Sequence, residues 1–192
     1  MNIAILTPQH FQTSQWSGGS TTQLYIFPAN ATYEERNFEL RLSTAKVEAE
    51  ESTFTSLPDI DRKLMILEGA ITITHQDKYT KHLTPFQVDE FSGDWKTTAI
   101  GTCTDFNVMT KGKQQSDLYH IAMEAGSNYI LKPKKKCKNL FLYATSSTIH
   151  LQLSDKKYIL EKGNLMVIQD ANGSSIAINS DKGFGVTVLE MY

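Results

Sequence analysis

Arginine is scarce in this chain, and its placement is informative. Nineteen residues are Lys or Arg, and only Arg36, Arg41 and Arg62 are Arg. A sequence that fills its surface with Lys keeps Arg where a planar, permanently charged, bidentate donor is needed, for a carboxylate or a buried ion pair. Arg36 lies in the charged stretch Tyr33-Glu34-Glu35-Arg36-Asn37 and reads as plain surface. Arg41 stands two residues before Ser43 in an alternating run, so both share the strand face opposite Phe38, Leu40 and Leu42. That face is either solvent, which the sequence alone slightly favours, or the polar lining of a barrel pocket. Arg62 opens an apolar run behind Ser56-Leu57-Pro58-Asp59-Ile60-Asp61. It either caps such a pocket or forms a local surface arrangement with Asp61, which is worth little. Asp105 and Asn107 also share one strand face, as pocket groups or as a solvated pair.

Other clusters exclude more than they assert. Trp16-Ser17-Gly18-Gly19-Ser20-Thr21-Thr22 can form a concave array of backbone N–H groups or a tight turn leading into a strand. No Lys follows the glycines as in a phosphate-binding loop. The histidines, His10, His75, His82, His120 and His150, form no His-x-His or His-x-x-x-His pair, which argues against a metal centre. No Gly-x-Ser-x-Gly elbow supports a nucleophilic serine. Cys137 sits among the lysines of Lys132 to Lys138. Neighbouring ammonium groups would activate its thiol, but a solvated basic loop with an incidental thiol is the preferred reading. The net charge of −2, and the absence of aromatics among those lysines, exclude a nucleic-acid binder. No apolar run reaches membrane-spanning length. With only two cysteines, Cys103 and Cys137, the implied compartment is a reducing cytoplasm.

The elements that must position these residues are strands. Apolar residues recur with period two in Phe38–Ser43, Asp105–Met109, Thr148–Leu153, Leu165–Ile168 and Phe184–Leu189. Turn signals such as Gln76-Asp77, Ser92-Gly93-Asp94, Ser154-Asp155 and Asn172-Gly173 punctuate them. Only Thr32–Asn37 and Ser116–Glu124 carry a weak helical signal. The fold class is therefore all-β, a barrel or sandwich of short antiparallel strands. A faint repeat relates Lys63–Leu83 and beyond to Asn139–Ile168. It predicts two similar β units joined near Lys111–Ser116, residues 1–112 and 113–192.

Taken in series, these clusters resemble the HutD/Ves family. The motifs are Trp16-Ser17-Gly18-Gly19-Ser20-Thr21, Arg41-Leu42-Ser43-Thr44-Ala45-Lys46-Val47, Phe54-Thr55-Ser56-Leu57-Pro58-Asp59-Ile60-Asp61-Arg62, Leu64–Gly69, Pro85-Phe86, Phe91-Ser92-Gly93-Asp94 and Asp105-Phe106-Asn107. They cover roughly the first 110 residues. Thr55 stands where the family often has Ser, and Leu57 where it often has an aromatic residue. The resemblance implies a bicupin, two small antiparallel β-barrels of jelly-roll type in one chain. It looks like a metal-free cupin with no cofactor. It also implies a regulatory, ligand-binding role linked to histidine utilisation, whose intermediates are small carboxylates. Under that reading Arg62 and Arg41 grip the anion. Ser43, Thr21, Asp61, Asp105 and Asn107 orient it, and Trp16 forms an apolar wall. The alternatives are a metal-independent isomerase or hydrolase with Asp61 or Asp105 as general base, and an interaction module whose arginines make internal ion pairs. Sheet edges would allow a homodimer.

Overall fold

The computed structural model describes residues 1–112, 114–134 and 136–192. The strands in chain order are β1 (Asn2–Leu6), β2 (Gln12–Trp16), β3 (Gly19–Phe27), β4 (Leu40–Val47), β5 (Glu51–Thr53), β6 (Ile60–Gly69), β7 (Ile71–His75), β8 (Tyr79–Leu83), β9 (Val88–Ser92) and β10 (Thr97–Ile100). They continue with β11 (Cys103–Lys111), β12 (Ser116–Met123), β13 (Asn128–Leu131), β14 (Asn139–Ala144), β15 (Ile149–Leu153), β16 (Lys156–Leu160), β17 (Leu165–Gln169), β18 (Ile176–Asn179) and β19 (Phe184–Met191). The only helical turn among the described residues is a single 3₁₀ turn at Pro8–His10. Among the described residues no helix is long and apolar enough to cross a membrane.

The two stretches with weak helical signals are not helices. Ser116–Met123 is β12, paired along its whole length with β19, so ladder pairing overrides local propensity. Thr32–Asn37 is a turn tied by its own polar side chains. Thr32 Oγ1 accepts from the Glu35 N–H at 3.2 Å, and Asn37 Oδ1 accepts from the Thr32 N–H at 2.8 Å. Such side-chain bonds compete with helix formation.

The chain divides into two compact units, Phe11–Gln114 and Met1–His10 with Gln115–Tyr192. The first unit has a six-stranded sheet of order β2-β3-β4-β11-β6-β9 and a four-stranded sheet of order β5-β10-β7-β8. The second has a five-stranded sheet, β1-β17-β14-β19-β12, and a four-stranded one, β13-β18-β15-β16. Adding eight to each label turns β4-β11-β6-β9 into β12-β19-β14-β17, and β5-β10-β7-β8 into β13-β18-β15-β16. The repeat in the sequence is thus a repeat of topology, and each copy is an open, jelly-roll-like pair of sheets. The β7–β8 and β15–β16 hairpins each turn through a left-handed residue, Asp77 (φ 61°) in the first and Ser154 (φ 50°) in the second. Met1–His10 is not part of the first unit, as a division at residue 112 would have it. Ile3, Ala4 and Ile5 of β1 pair with Ile168, Val167 and Met166 of β17 and complete the other unit's sheet. Lys113, where the second unit would begin, and Lys135, in the basic run, lie outside the described residues.

The two units fill their interiors differently. In the second, Leu140, Leu142 and Ala144 of β14 and Val186 and Val188 of β19 pack against Ile149, Leu151, Ile176 and Ile178 of the facing sheet. Its core is apolar except towards one end of β19, where Glu190, in step with Val186 and Val188, is buried and accepts from Tyr119 Oη at 2.7 Å and from the Lys134 N–H at 2.8 Å. In the first, Leu64, Ile66, Ile71, Ile73, Leu83 and Ala99 form such a core at one end only. The rest of the interior face of β4, β6 and β11 carries Arg41, Ser43, Arg62, Asp105 and Asn107 among Ala45, Val47 and Met109.

Candidate ligand-binding site

Strand register assembles that polar face. β11 lies between β4 and β6, and its odd residues point inward with Leu64 and Ile66. Met109 sits opposite Arg41 on one side and Arg62 on the other. Asn107 sits opposite Ser43 and Leu64, and Asp105 opposite Ala45 and Ile66. Thr21 of β3 continues the row beside Ala45. All of these but Leu64 and Ile66 line a cavity of about 370 Å³, closed further by Tyr33, Glu34, Phe54 and Trp16. Arg41 and Ser43 therefore face the interior, not solvent. Both faces of β4 are buried: Leu40 and Leu42 on one side, Arg41 and Ser43 on the other. Alternation alone could not distinguish that from a solvated face.

Both guanidiniums are buried and neither is neutralised. Arg62 is 6% exposed and Arg41 7%. Among the described residues no carboxylate oxygen lies within 4.0 Å of either, so the internal ion pairs of the interaction-module reading are not formed. Arg41 Nε donates to Gln23 Oε1 at 2.8 Å, and Nη1 to Ser43 Oγ at 3.3 Å. Its guanidinium lies 4.5 Å over the Tyr33 ring, which stacks on Phe38. Arg62 Nη2 donates to Asn107 Oδ1 at 3.1 Å, and its guanidinium lies 4.9 Å from the Phe54 ring and 5.2 Å from Phe91. Arg62 Nε is buried without a partner. Arg41 Nη2 and Arg62 Nη1 also have no hydrogen-bond partner among the described residues. Aromatic faces hold the two cations in place while leaving donors unused.

Burial sets the electrostatics. It pulls Arg62 down to about 10; Arg41 nearby adds to this, and Tyr33 and Asp105 oppose it. It lowers Arg41 as well, against Tyr33 and Glu34. It pushes Asp105 up to about 7, against the pull of Arg62, the Ala45 N–H and Asn107. Asn107 is the bridge: it accepts from Arg62 and donates from Nδ2 to Asp105 Oδ1 at 2.5 Å. Two positive donors and one carboxyl near its neutral point thus line one cavity whose charged groups are themselves buried. Such a space suits a small anion.

The HutD family model matches residues 8–184. This chain belongs to the HutD family. No curated protein matches it. A conserved protein of unknown function from Pseudomonas aeruginosa PAO1 superposes with a TM-score of 0.83 at 18% identity, covering 100% of this chain and 99% of that one. A structure of HutD from Pseudomonas fluorescens SBW25, in a formate condition, superposes at 0.72 with 17% identity and full coverage of both chains. The bacterial pirin of Escherichia coli, in complex with nickel(II), superposes at 0.72 with 10% identity and 98% coverage of each. At these identities the likeness concerns fold, and the fold is that of a cupin pair.

The nickel belongs to the pirin. In this HutD-family chain no three His, Cys, Asp or Glu side chains converge among the described residues, and no histidine lines the cavity. The donor set does not fit a metal. His75 is buried elsewhere in the unit, with Nε2 2.8 Å from Asp89 Oδ2 and Nδ1 2.8 Å from Thr97 Oγ1.

Of the residues singled out in the sequence, Arg41, Arg62, Ser43, Thr21, Trp16, Asp105 and Asn107 come together at the cavity. Asp61 does not: it is exposed and alternates to the other face of β6 from Arg62. Ser17 and Gly18 form the β2–β3 hairpin turn, and Gly19 opens β3 opposite Trp16. Gly18 O accepts the N–H groups of Glu48 and Ala49, and Gly19 has φ +152°, with Lys46 O where a Cβ would stand. A Cβ at Gly18 would overlap the Trp16 ring, so this glycine lets the half-exposed indole fold back at the cavity rim. Cys137 is buried in the second unit and donates to Asn139 O at 3.3 Å. Burial and Glu190 push its thiol up to about 11, the opposite of activation by lysines.

Sequence reasoning gave no role to Tyr33, Glu34, Phe54, Gln23 and Met109. Gln23 and Met109 could have been found, since both sit opposite the Arg41–Ser43 face once the strands are paired. Tyr33, Glu34 and Phe54 lie outside the strands, where no period marks a face. Thr55, one of the departures from the family motif, lines the cavity. Leu57, the other, is buried beneath it with Phe38 and Met109.

Proposed function

We propose that this chain binds a small carboxylate metabolite in the first unit's cavity, without a metal, in a regulatory role related to histidine utilisation. One observation carries the reading: two buried guanidiniums converge on one cavity with free donors and no carboxylate partner. A buried, uncompensated charge is costly, and an anionic ligand supplies the missing compensation. Arg62 Nη1 and Arg41 Nη2 are the donors offered to it. Ser43 and Asn107 hold the guanidiniums in place, Thr21 adds a hydroxyl, and Tyr33, Phe54 and Trp16 form the walls. The histidine-pathway link is carried by family membership alone.

The test is a thermal-shift panel of small carboxylates that includes histidine, urocanate, formiminoglutamate and formylglutamate. Ligand at about 100 times its dissociation constant stabilises the fold by about 2.7 kcal/mol, which a melting curve resolves. A selective shift, lost in Arg62→Met, supports the reading; a flat panel refutes it.

A second reading draws on Asp105. A carboxyl held near 7 on a cavity wall has the poise of a general base, which keeps a metal-independent isomerase or hydrolase in contention. Turnover of any ligand that shifts the melting curve decides between the two.

A further inference from the structure

Asp105 is an awkward neighbour for an anion. It is 3% exposed, it lines the cavity that both arginines enter, and it is joined to Arg62 only through the side chain of Asn107. An anion that takes the free donors of Arg62 and Arg41 consumes the positive potential that keeps Asp105 ionised. Two negative charges would then share a low-dielectric space.

We propose that the cavity takes up its anion together with one proton, and that Asp105 holds that proton. The inference rests on the carboxylate reading above and adds to it the charge state of the bound site. The groups facing Asp105 leave it as the proton acceptor. Arg41 from β4 and Arg62 from β6 are guanidiniums, which burial lowers but which as a class stay charged at physiological pH. Cys103, next on the same face of β11, is a thiol pushed up to about 12 by burial and by Asp105 itself. Tyr33 and Glu34 come from the connection before β4, and Glu34 is exposed at the mouth. The β5 side contributes the hydroxyls of Ser52, Thr53 and Thr55 with the Phe54 ring. Asp105 is the buried carboxyl, and burial already holds it near 7. A second negative charge beside it raises it further, so the bound state holds a proton that the free state has partly lost.

The direction of the pH dependence follows. Below about pH 6 Asp105 is protonated with or without ligand, and affinity is flat. Above about pH 7 binding must take up a proton, and affinity falls towards tenfold per pH unit. The probes are acetate and 3-phenylpropionate, neither of which titrates above pH 6. Their dissociation constants are measured on the full chain by calorimetry between about pH 6 and 8.5, for wild type and Asp105→Asn. The wild type should lose affinity with rising pH, and the variant should bind with little pH dependence. Should Asp105→Asn fail to fold, calorimetry of the wild type at about pH 8 in buffers of different ionisation enthalpy reads the proton directly; uptake approaching one proton per anion supports the proposal. Binding with no pH dependence and no proton uptake overturns it and leaves the carboxylate site standing. No binding of either probe at any pH overturns both.

Discussion

Arg62 separates a binding role from a structural one more sharply than any other residue. A guanidinium held at about 10, rather than at its ordinary 12.5, carries a burial penalty of about 3 kcal/mol for its charge. That figure already includes the fields of Tyr33, Asp105 and Arg41, while the hydrogen bond to Asn107 and the aromatic contacts stand outside it. Arg62→Met removes the charge and keeps most of the volume between Phe54 and Phe91. It gives up one charged hydrogen bond, about 1.5–3 kcal/mol, and two aromatic contacts of about 1 kcal/mol each. These losses and the relieved penalty nearly cancel. Urea unfolding without ligand should therefore place Arg62→Met within about 2 kcal/mol of wild type. Carboxylate binding should weaken roughly 10- to 150-fold, the equivalent of one lost charged hydrogen bond. Had Arg62 served the fold through an ion pair, the same substitution would cost about 3–5 kcal/mol. A loss of that size, or a variant that binds carboxylates as wild type does, refutes the reasoning. Arg62→Ala is the poorer test, because a cavity left beside Phe54 and Phe91 destabilises on its own account.

Three further outcomes follow from the placement of individual residues. Asp105 is held higher in the folded chain, at about 7, than its ordinary 3.8, so the native state binds the extra proton between these values. Stability then falls as pH rises from about 4 to 7, by up to about 4 kcal/mol, and Asp105→Asn should remove that slope in pH-dependent urea melts. Asp61→Ala should change neither carboxylate affinity nor stability by more than about 0.5 kcal/mol, since Asp61 is exposed and off the cavity; a marked loss of binding in calorimetry would return it to the site. Cys137, wholly buried and held up to about 11, should resist a thiol reagent at pH 8 in the native chain and react on unfolding, and fast labelling in the native state would contradict its placement.

The strands and their duplication were legible because period-two alternation and turn residues are local signals. The hairpins at Asp77 and Ser154 and the paired apolar runs Leu64–Leu67 and Leu140–Tyr143 suffice to suggest two like units. The edge of the first unit was not legible. Residues 2–6 are a short apolar strand whose partner, β17, lies more than 150 residues away, and no local pattern encodes that pairing. The same limit governed the site. Arg41-Leu42-Ser43 alternates in the way a solvated strand does, and only pairing with β11 shows that Arg41, Ser43, Asp105 and Asn107 form one inward row. Asp61 and Arg62 are neighbours in sequence, yet a strand sends consecutive side chains to opposite faces. Their adjacency suggested a joint role that the backbone forbids. What did carry through was the rarity of arginine: two of its three occurrences mark the cavity because a mostly Lys chain has little other reason to bury a guanidinium. The second unit makes the converse case. It repeats the sheet order of the first, but its equivalent strands present Leu140, Leu142, Val186 and Val188 to an apolar core, and the buried Glu190 beside them is taken up by Tyr119, Tyr192 and the Lys134 N–H. The duplication therefore preserved the scaffold and left the chemistry to the copy whose inward arginines keep unused donors.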